Sequence, residues 1–393
     1  MTKIKNKLLF AFILISIIPL IVIGGYALTN ISSSLKAVHS GKLNDKVTSI
    51  SSQIEDFLNN VSNDLFYLRD STALRTMIGD SGITSGNDTS FTRKKLEKDF
   101  LAFSRHKKIY HQIRFLDISG MEIVRVDRNH DESAIVAQGR LQNKKKRYYF
   151  ADTAELNNGQ LMISPLDLNR ERGKVEEPLR PVIRYGTPVY DKNNQFQGIV
   201  LFNVIADKFL ELVRKNNAGR EHLLFIDNNG FYYSHPNAKK EWGRKSDLNT
   251  GINFASENPK AAQQIVGSNQ MNTLVLNDNI IAASPVYLDR EKNVILGNII
   301  DIVPTKDVFS SVTMFRNIFL AISAVVFVLT LIIAITLAKS ITDPIVYLTK
   351  TTEAMSKGTL SSSVTVTTKD ETKLLAEAIE RLRKSMIILL KRK

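Results

Sequence analysis

The chain has 393 residues, 43% of them hydrophobic, a net charge of +14 and no cysteine. That length suits two or three ordinary domains, and the missing thiols exclude a disulfide framework, a thiolate metal site and a cysteine nucleophile. A positive balance points to nucleic acid or to a flank pressed against anionic lipid; the basic residues are scattered, as in "NKKKRYYF" and "LKRK", so lipid is the expected partner and nucleic acid is not.

Residues 1–7 carry Lys3, Lys5 and Lys7 and lead into an uncharged stretch, 8–28, "LLFAFILISIIPLIVIGGYAL". At 1.5 Å per residue it covers roughly 31 Å, the thickness of a bilayer's hydrocarbon core. A secretory signal shares the basic start, but this run is too long for one and no small-x-small cleavage pattern follows. Pro19 and the Gly24–Gly25 pair are tolerable in a membrane helix. A second uncharged stretch, 318–338, is bracketed by Arg316 and Lys339. The basic start places the N-terminus in the cytoplasm, and two crossings return the C-terminus there. Residues 29–314 should therefore lie outside the cell (inner) membrane.

The external part begins with a long helix expected over 34–74. Val47, Ile50, Ile54, Phe57, Val61, Leu65 and Leu68 recur at steps of three and four, as a core-facing stripe or a dimer seam running up from the membrane. Strand signals follow. "HQIRFLDISGMEIVRVDR" is two alternating runs around Asp117-Ile118-Ser119-Gly120, a hairpin. "RFLDISGMEIVRV" with "GTPVYDKNNQFQGIVLFNV" is echoed by "LFIDNNGFYYSHP" with "ASPVYLDREKNVILGNIIDIV", an internal repeat that implies two stacked modules. The fold class is α+β: a long helix, two tandem antiparallel-sheet modules, flanking transmembrane helices and a helical tail.

This order resembles the double Cache sensor domains of bacterial transmembrane receptors, whose modules are PAS-like. The likeness covers roughly 34–310, with a distal module near 75–212 and a proximal one near 220–305, carried by the Asp-x-x-Gly hairpins and the "GTPVYD…GIVLFNV" pair. The tail, 339–391, resembles a HAMP linker, a parallel four-helix bundle made by two copies of the chain, with the match over about 339–386. Pro344 stands for the family's proline, Gly358-Thr359-Leu360 for its connector start, and Asp370-Glu371 for the acidic pair that opens its second helix; "DETK" departs from the family's Asp-Glu-apolar-Gly. Ile345, Leu348, Thr352 and Met355 form one heptad seam, and Leu375, Ile379, Leu382, Met386 and Leu389 the other. The apolar helix is expected to end at Lys339 and a new helix to start at Pro344, whose fixed φ suits a first turn. These residues are the candidate signal relay.

Catalytic motifs are missing: no phosphate loop, no His-Glu-x-x-His, no nucleophile elbow and no kinase signatures. The histidines, His39, His106, His111, His130, His222 and His235, are dispersed, and His106 and His111 are expected in solvent. Neither an enzyme, a metal site nor a cofactor is expected. Amino-acid-binding double Cache domains carry an Arg-x-Trp-Tyr motif, a Tyr and two Asp. Here Arg147, Tyr148 and Tyr149 approximate the first, Asp167 stands for one acid, and Asn203 replaces the other, so the resemblance loses the charge that would hold an ammonium group. Arg114, Arg125, Arg147 and Arg184 lie on or beside expected strands, and a guanidinium matches a carboxylate bidentately. The expected ligand is therefore a small anion such as a carboxylate, held by Arg147 and Arg184 between Tyr149 and Tyr185. Against it stands the plainer reading of these arginines as surface or strand-pairing charges. The proximal module, with Asp227, Tyr232 and His235, reads as a spacer, and Trp242 as packing.

The whole reads as a homodimeric transmembrane receptor that senses an external small molecule and signals through HAMP to an unknown cytoplasmic partner. Seven residues follow Met386, so the alternatives are an effector-less receptor or the N-terminal part of a longer chemoreceptor, sensor kinase or diguanylate cyclase. A membrane-anchored binding protein that sends no signal, and a hydrolase on a membrane stalk, are the rivals from other classes.

Overall fold

A computed structural model describes residues 4–79, 87–129, 132–171, 173–217 and 223–391, and the chain divides into two units: 37–307, and 1–36 with 308–393. His130 and His222 lie outside the described residues. Helix α1 (Ile4–Arg69) is continuous over 66 residues and carries the first apolar stretch and the heptad stripe together. It stops short of the expected end because Ser71 accepts a hydrogen bond from Leu74 N at 3.4 Å and opens a separate helix, α2 (Thr72–Ile78). The stripe faces the sheets of its own unit. Val47, Ile50, Ile54, Val61, Leu65 and Leu68 are buried, whereas Phe57 is half-buried against Phe209 and Leu58 takes the buried step instead. These residues are thus core, not a dimer seam; apolar surface already buried has nothing left to offer a copy.

The distal module sets helix α3 (Asn87–His106) and α1 on one face of a sheet. Its strands are β1 (Tyr110–Asp117), β2 (Glu122–Asn129), β3 (Glu132–Ile135), β4 (Met162–Ile163) and β5 (Asp167–Leu168). A small ribbon of β6 (Arg170–Glu171) and β7 (Lys174–Val175) precedes β8 (Pro181–Tyr190) and β9 (Phe196–Ile205). The order is β3-β2-β1-β9-β8-β4, with β5 also on β8, all antiparallel. Helix α4 (Tyr148–Ala154) covers the opposite face, and α5 (Asp207–Lys215) links to the proximal module. There β10 (Leu223–Ile226), β11 (Tyr232–Ser234), helices α6 (Phe254–Glu257) and α7 (Pro259–Ile265), and β12 (Asn272–Leu276), β13 (Asn279–Asp289) and β14 (Val294–Pro304) give a sheet ordered β11-β10-β14-β13-β12.

The internal repeat is visible atom by atom. Asp117 Oδ1 accepts from the N–H groups of Ser119 and Met121, and Asp227 Oδ1 from those of Asn229 and Phe231. Gly120 and Gly230 supply the left-handed residue of each turn, at φ 77° and 86°. Beside each turn a glycine, Gly198 on β9 and Gly297 on β14, lies so close that a Cβ would overlap the carbonyl oxygen of Leu116 or Ile226. The interiors differ. Tyr232, Phe254, Ile265 and Ile300 fill the proximal one, while the distal one is left polar.

In the other unit, α8 (Thr305–Ser356) carries the second apolar stretch through Lys339 and Pro344 as one helix. The expected stop and restart are absent. Pro344 removes one ladder donor and crowds the carbonyl four residues back, a cost of about 3 kcal/mol that this helix absorbs while Leu348 and Met355 pack on the following connector. The connector leads to α9 (Glu371–Lys391). Among the described residues, α1 and α8 are long and apolar enough to cross a membrane.

Candidate functional site

Strand register builds the distal cavity. On the face away from α1, one row across the sheet reads Asp127, Gln112, Asn203, Arg184, and the next reads Arg125, Arg114, Leu201, Gly186. Two arginines directly opposed would repel; acids behind them offset this. Arg125 grips Asp127 with two hydrogen bonds of 2.7 and 2.8 Å. Arg114 donates to Asn203 Oδ1 at 2.6 Å and lies 3.6 Å from Glu122, whose side chain has no exposed surface. Arg184 donates to Asp167 at 2.8 Å and to Asn169 at 3.3 Å.

Helix α4 forms the roof. Gly186 permits it, because a Cβ there would overlap Thr153, whose hydroxyl donates to the Tyr149 carbonyl at 2.6 Å. Tyr149 is thereby placed with the guanidinium carbons of Arg114, Arg147 and Arg184 at 5.3, 5.8 and 6.0 Å from its ring centroid. Burial pushes the Tyr149 hydroxyl up, but the charges of Arg114, Lys144 and Arg147 outweigh it and leave its pKa below the ordinary tyrosine value.

The enclosed space is about 260 Å³, lined by Gln112, Arg114, Arg125, Gln142, Lys144, Arg147, Tyr149, Asn169, Arg170, Gly173, Arg184 and Asn203. Six of these are cations, and among the described residues no acid joins the lining. Three cations are offset by the acids behind them. The others meet neutral groups: Lys144 donates to Gln142, Arg147 lies over Tyr149, and Arg170 donates to the Gly173 carbonyl.

Most of the residues expected from sequence converge here. Tyr185 does not: it is fully buried on the opposite face of β8, where burial raises its pKa. Adjacent strand residues point to opposite faces, so the neighbour of Arg184 cannot share its cavity. Tyr148 is 42% exposed and touches the site through a 3.3 Å hydrogen bond from Arg184 and an edge contact with the Tyr149 ring. Asp167 is engaged by Arg184 and does not line the cavity. His111, expected in solvent, is buried between the Arg128 carbonyl and the Arg180 guanidinium; burial first, then that charge, lowers its pKa. Sequence reading missed Gln112, Glu122, Gln142, Lys144, Asn169 and Arg170. Of these only Gln112 was signalled, standing two strand positions before Arg114.

At the relay, Gly358 ends α8 at φ 89°, and Leu360 packs with Val364 and Val366 against Leu348, Met355 and Ala376. Asp370 accepts from the Thr372 N–H and hydroxyl, which accounts for a threonine where the HAMP pattern has an apolar residue; Glu371 opens α9 in solvent. A further clip was not foreseen. Glu380 accepts from the Val364 N–H at 2.9 Å and twice from Arg383, which also donates to the Leu360 carbonyl at 2.7 Å. Those bonds, Arg383 first, hold the Glu380 carboxyl down from 4.5 to about 2. A depressed carboxyl stabilises the connector above its unfolded pKa and loses that effect as pH falls towards its folded one. The protection of the Leu360–Val364 amides, taken against their intrinsic exchange rates, should therefore fall as pH drops from about 4.5 to 2, and Glu380→Gln should remove most of that dependence.

Two sheet modules on one long helix, a cationic cavity in one of them and two apolar helices define a transmembrane sensor. The chain belongs to the family described as bacterial histidine kinase, sensor domain, which matches residues 84–295, and a HAMP domain matches residues 336–387. It is a membrane protein with two spans that couples a sensor domain to HAMP in transmembrane signal transduction, both being signalling, non-catalytic modules. Among solved structures it is similar to the extracellular domain of a protein described as a proposed histidine kinase, vpHK1S-Z8, at TM-score 0.60 and 20% identity, covering 72% of this chain and 96% of that one. A domain of a sensory box/GGDEF family protein from Vibrio parahaemolyticus matches at TM-score 0.55 and 22% identity, covering 68% and 98%. The sensory domain of the Campylobacter jejuni chemoreceptor Tlp3 with isoleucine bound matches at TM-score 0.49 and 13% identity, covering 70% and 97%. No curated protein matches the chain.

Proposed function

We propose that this receptor senses a small anion, such as a carboxylate, in the distal cavity, with residues 29–314 outside the membrane and both termini in the cytoplasm. The observation that carries the reading is the cavity lining, six cations and, among the described residues, no acid; guanidinium forks suit carboxylate oxygens. A plain amino acid is disfavoured because Asn203, which would face an ammonium group, already holds Arg114 through its oxygen. Arg114, Arg125, Arg147 and Arg184 supply the charge, with Tyr149 as roof and Tyr148 and Asp167 holding Arg184. The proximal module acts as a spacer. No reaction is catalysed; binding energy alone biases two arrangements of the sensor, and HAMP passes that bias to a cytoplasmic partner or output region. The working form is a homodimer: Leu375, Leu382 and Leu389 are exposed at seven-residue steps on α9, the spacing of a coiled-coil seam.

The test is a titration of the protein with a panel of mono-, di- and tricarboxylates. A bound anion should raise the melting temperature and return the Tyr149 ultraviolet titration towards the ordinary tyrosine value, a change absent in Tyr149→Phe. Flat responses across the panel would retire the anion. The chain lacks cysteine, so single replacements test the rest. Lys260→Cys should react with an impermeant maleimide in intact cells and Lys384→Cys should not, whereas Leu382→Cys should cross-link to its own copy under mild oxidation. The reverse pattern would invert the topology, and a monomeric Leu382→Cys would remove the dimer.

A further inference from the structure

Two side chains of the proximal module reach into the framework of the distal site. Strand β5 spends one edge on β8, where Asp167 pairs with Val182 and the Asn169 N–H donates to the Arg180 carbonyl at 2.8 Å. Its other edge faces the proximal loop of residues 242–249. There the Leu168 N–H donates to Asp247 Oδ1 at 3.1 Å, and the Leu166 carbonyl accepts from the Arg244 guanidinium. Arg244 and Asp247 are themselves paired at 2.9 Å, and the Asp247 side chain has no exposed surface. Together they satisfy the two backbone groups that a further strand would take.

The residues flanked by these anchors are the ones that aim Arg184. Asp167 lies between Leu166 and Leu168, and Asn169 follows; both oxygens accept from the Arg184 guanidinium. Arg170, next along, donates to the Ser246 carbonyl of the same proximal loop. The loop is fixed from beneath. Arg244 lies over the Tyr233 ring at 5.3 Å and 3.6 Å from Asp227, the acid that closes the β10–β11 turn, and the backbone N–H of the buried Trp242 donates to the Tyr232 carbonyl at 2.9 Å.

We propose that Arg244 and Asp247 are positioning residues of the distal site, holding the strand from which Asp167 and Asn169 aim Arg184, so that filling the cavity and docking the proximal loop are one linked equilibrium. The proposal rests on the reading of the cavity as an anion site. An anion arriving at Arg184 competes with Asp167 for the guanidinium and repels its carboxylate. Asp167 is flanked by Leu166 and Leu168, whose backbone groups the proximal module holds, so any shift of the strand that carries its carboxylate is felt at those anchors. Coupling of this kind is reciprocal, so a change made at either end must be felt at the other.

Hydrogen exchange on the full chain in lipid nanodiscs tests this, and the first arm needs no ligand. Arg184→Gln, in the distal module, should speed exchange at residues 242–249 of the proximal one by roughly tenfold, the scale of one lost hydrogen bond to a charged group. Asp247→Ala should do the same at 166–169, while Asp247→Asn, which keeps an oxygen for the Leu168 N–H, should stay near the wild type. Should Asp247→Ala unfold the proximal sheet, the Arg184→Gln arm decides alone. Wild-type exchange at 242–249 in Arg184→Gln overturns the linkage. The second arm adds sodium citrate: wild type should gain protection at 164–170 and 242–249 together, and Asp247→Ala at 164–170 only. Protection at neither segment in the wild type, with Arg184→Gln still loosening the loop, supports the linkage and counts against the anion reading. Protection confined to 164–170 in the wild type keeps the anion and overturns the linkage.

Discussion

Arg114→Met should lower the stability of the distal module by about 3–5 kcal/mol, the usual cost of stranding one member of a buried ion pair. The reason lies in Glu122. Its side chain is fully enclosed, Oε2 accepts from the Gln142 N–H at 3.0 Å, and Oε1 lacks a hydrogen bond and depends on the charge of Arg114, with Arg125 at 3.7 Å as the other cation. Arg114→Met/Glu122→Gln should regain most of the loss, since the neutral side chain needs no counter-charge and still offers an oxygen to Gln142. It should not regain the anion response, because the fork that faces the cavity is gone. Urea unfolding of the two variants, beside carboxylate titration of the double one, separates stability from binding. A single variant within about 0.5 kcal/mol of wild type, inside the range of ordinary surface changes, would mean that this pair is not enclosed. An anion response restored in the double variant would free Arg114 of any binding role.

Gly198→Val should abolish the distal fold or cost more than about 4 kcal/mol, the range reserved for broken backbone geometry. Two penalties add. The backbone there has φ 139°, a region that residues with a Cβ avoid, and the new Cβ would overlap the Leu116 carbonyl oxygen. Gly297→Val should do the same to the proximal module, since its Cβ would overlap the Ile226 carbonyl oxygen. Gly139→Ala, with open space around it, should change stability by less than about 0.5 kcal/mol. Circular dichroism and thermal unfolding of the three variants check this, and a native melting temperature for Gly198→Val would refute the close approach.

The parts of the molecule that follow from local rules were legible in the sequence. An acid three residues before a glycine makes a capped turn wherever it occurs, so both hairpins could be found and matched as a repeat. Period-two alternation put Gln112 and Arg114 within reach of inference, and the same rule, had it been applied on β8, would have kept Tyr185 away from Arg184. Pairings across the chain were not legible. Glu122 sits beyond a register shift between Phe115 and Leu116, so its face cannot be counted from the strand pattern. The Asp167–Arg184 contact, and the reach of Glu380 and Arg383 to Val364 and Leu360, depend on how loops and helices are laid down, not on spacing. Pro344 misled for a related reason: a helix whose next turns pack Leu348 and Met355 on the connector can carry a proline that a free one would refuse.

The proximal module keeps the joints of the distal one while Tyr232, Phe254 and Ile265 occupy its middle. Those side chains take the space that the distal sheet leaves to a solute, so the proximal module should answer added metabolites only through the loop of residues 242–249 that it lends to the distal site. The doubled architecture then acts as an instrument in two parts: one pattern used once as a gauge and once as the frame that steadies it.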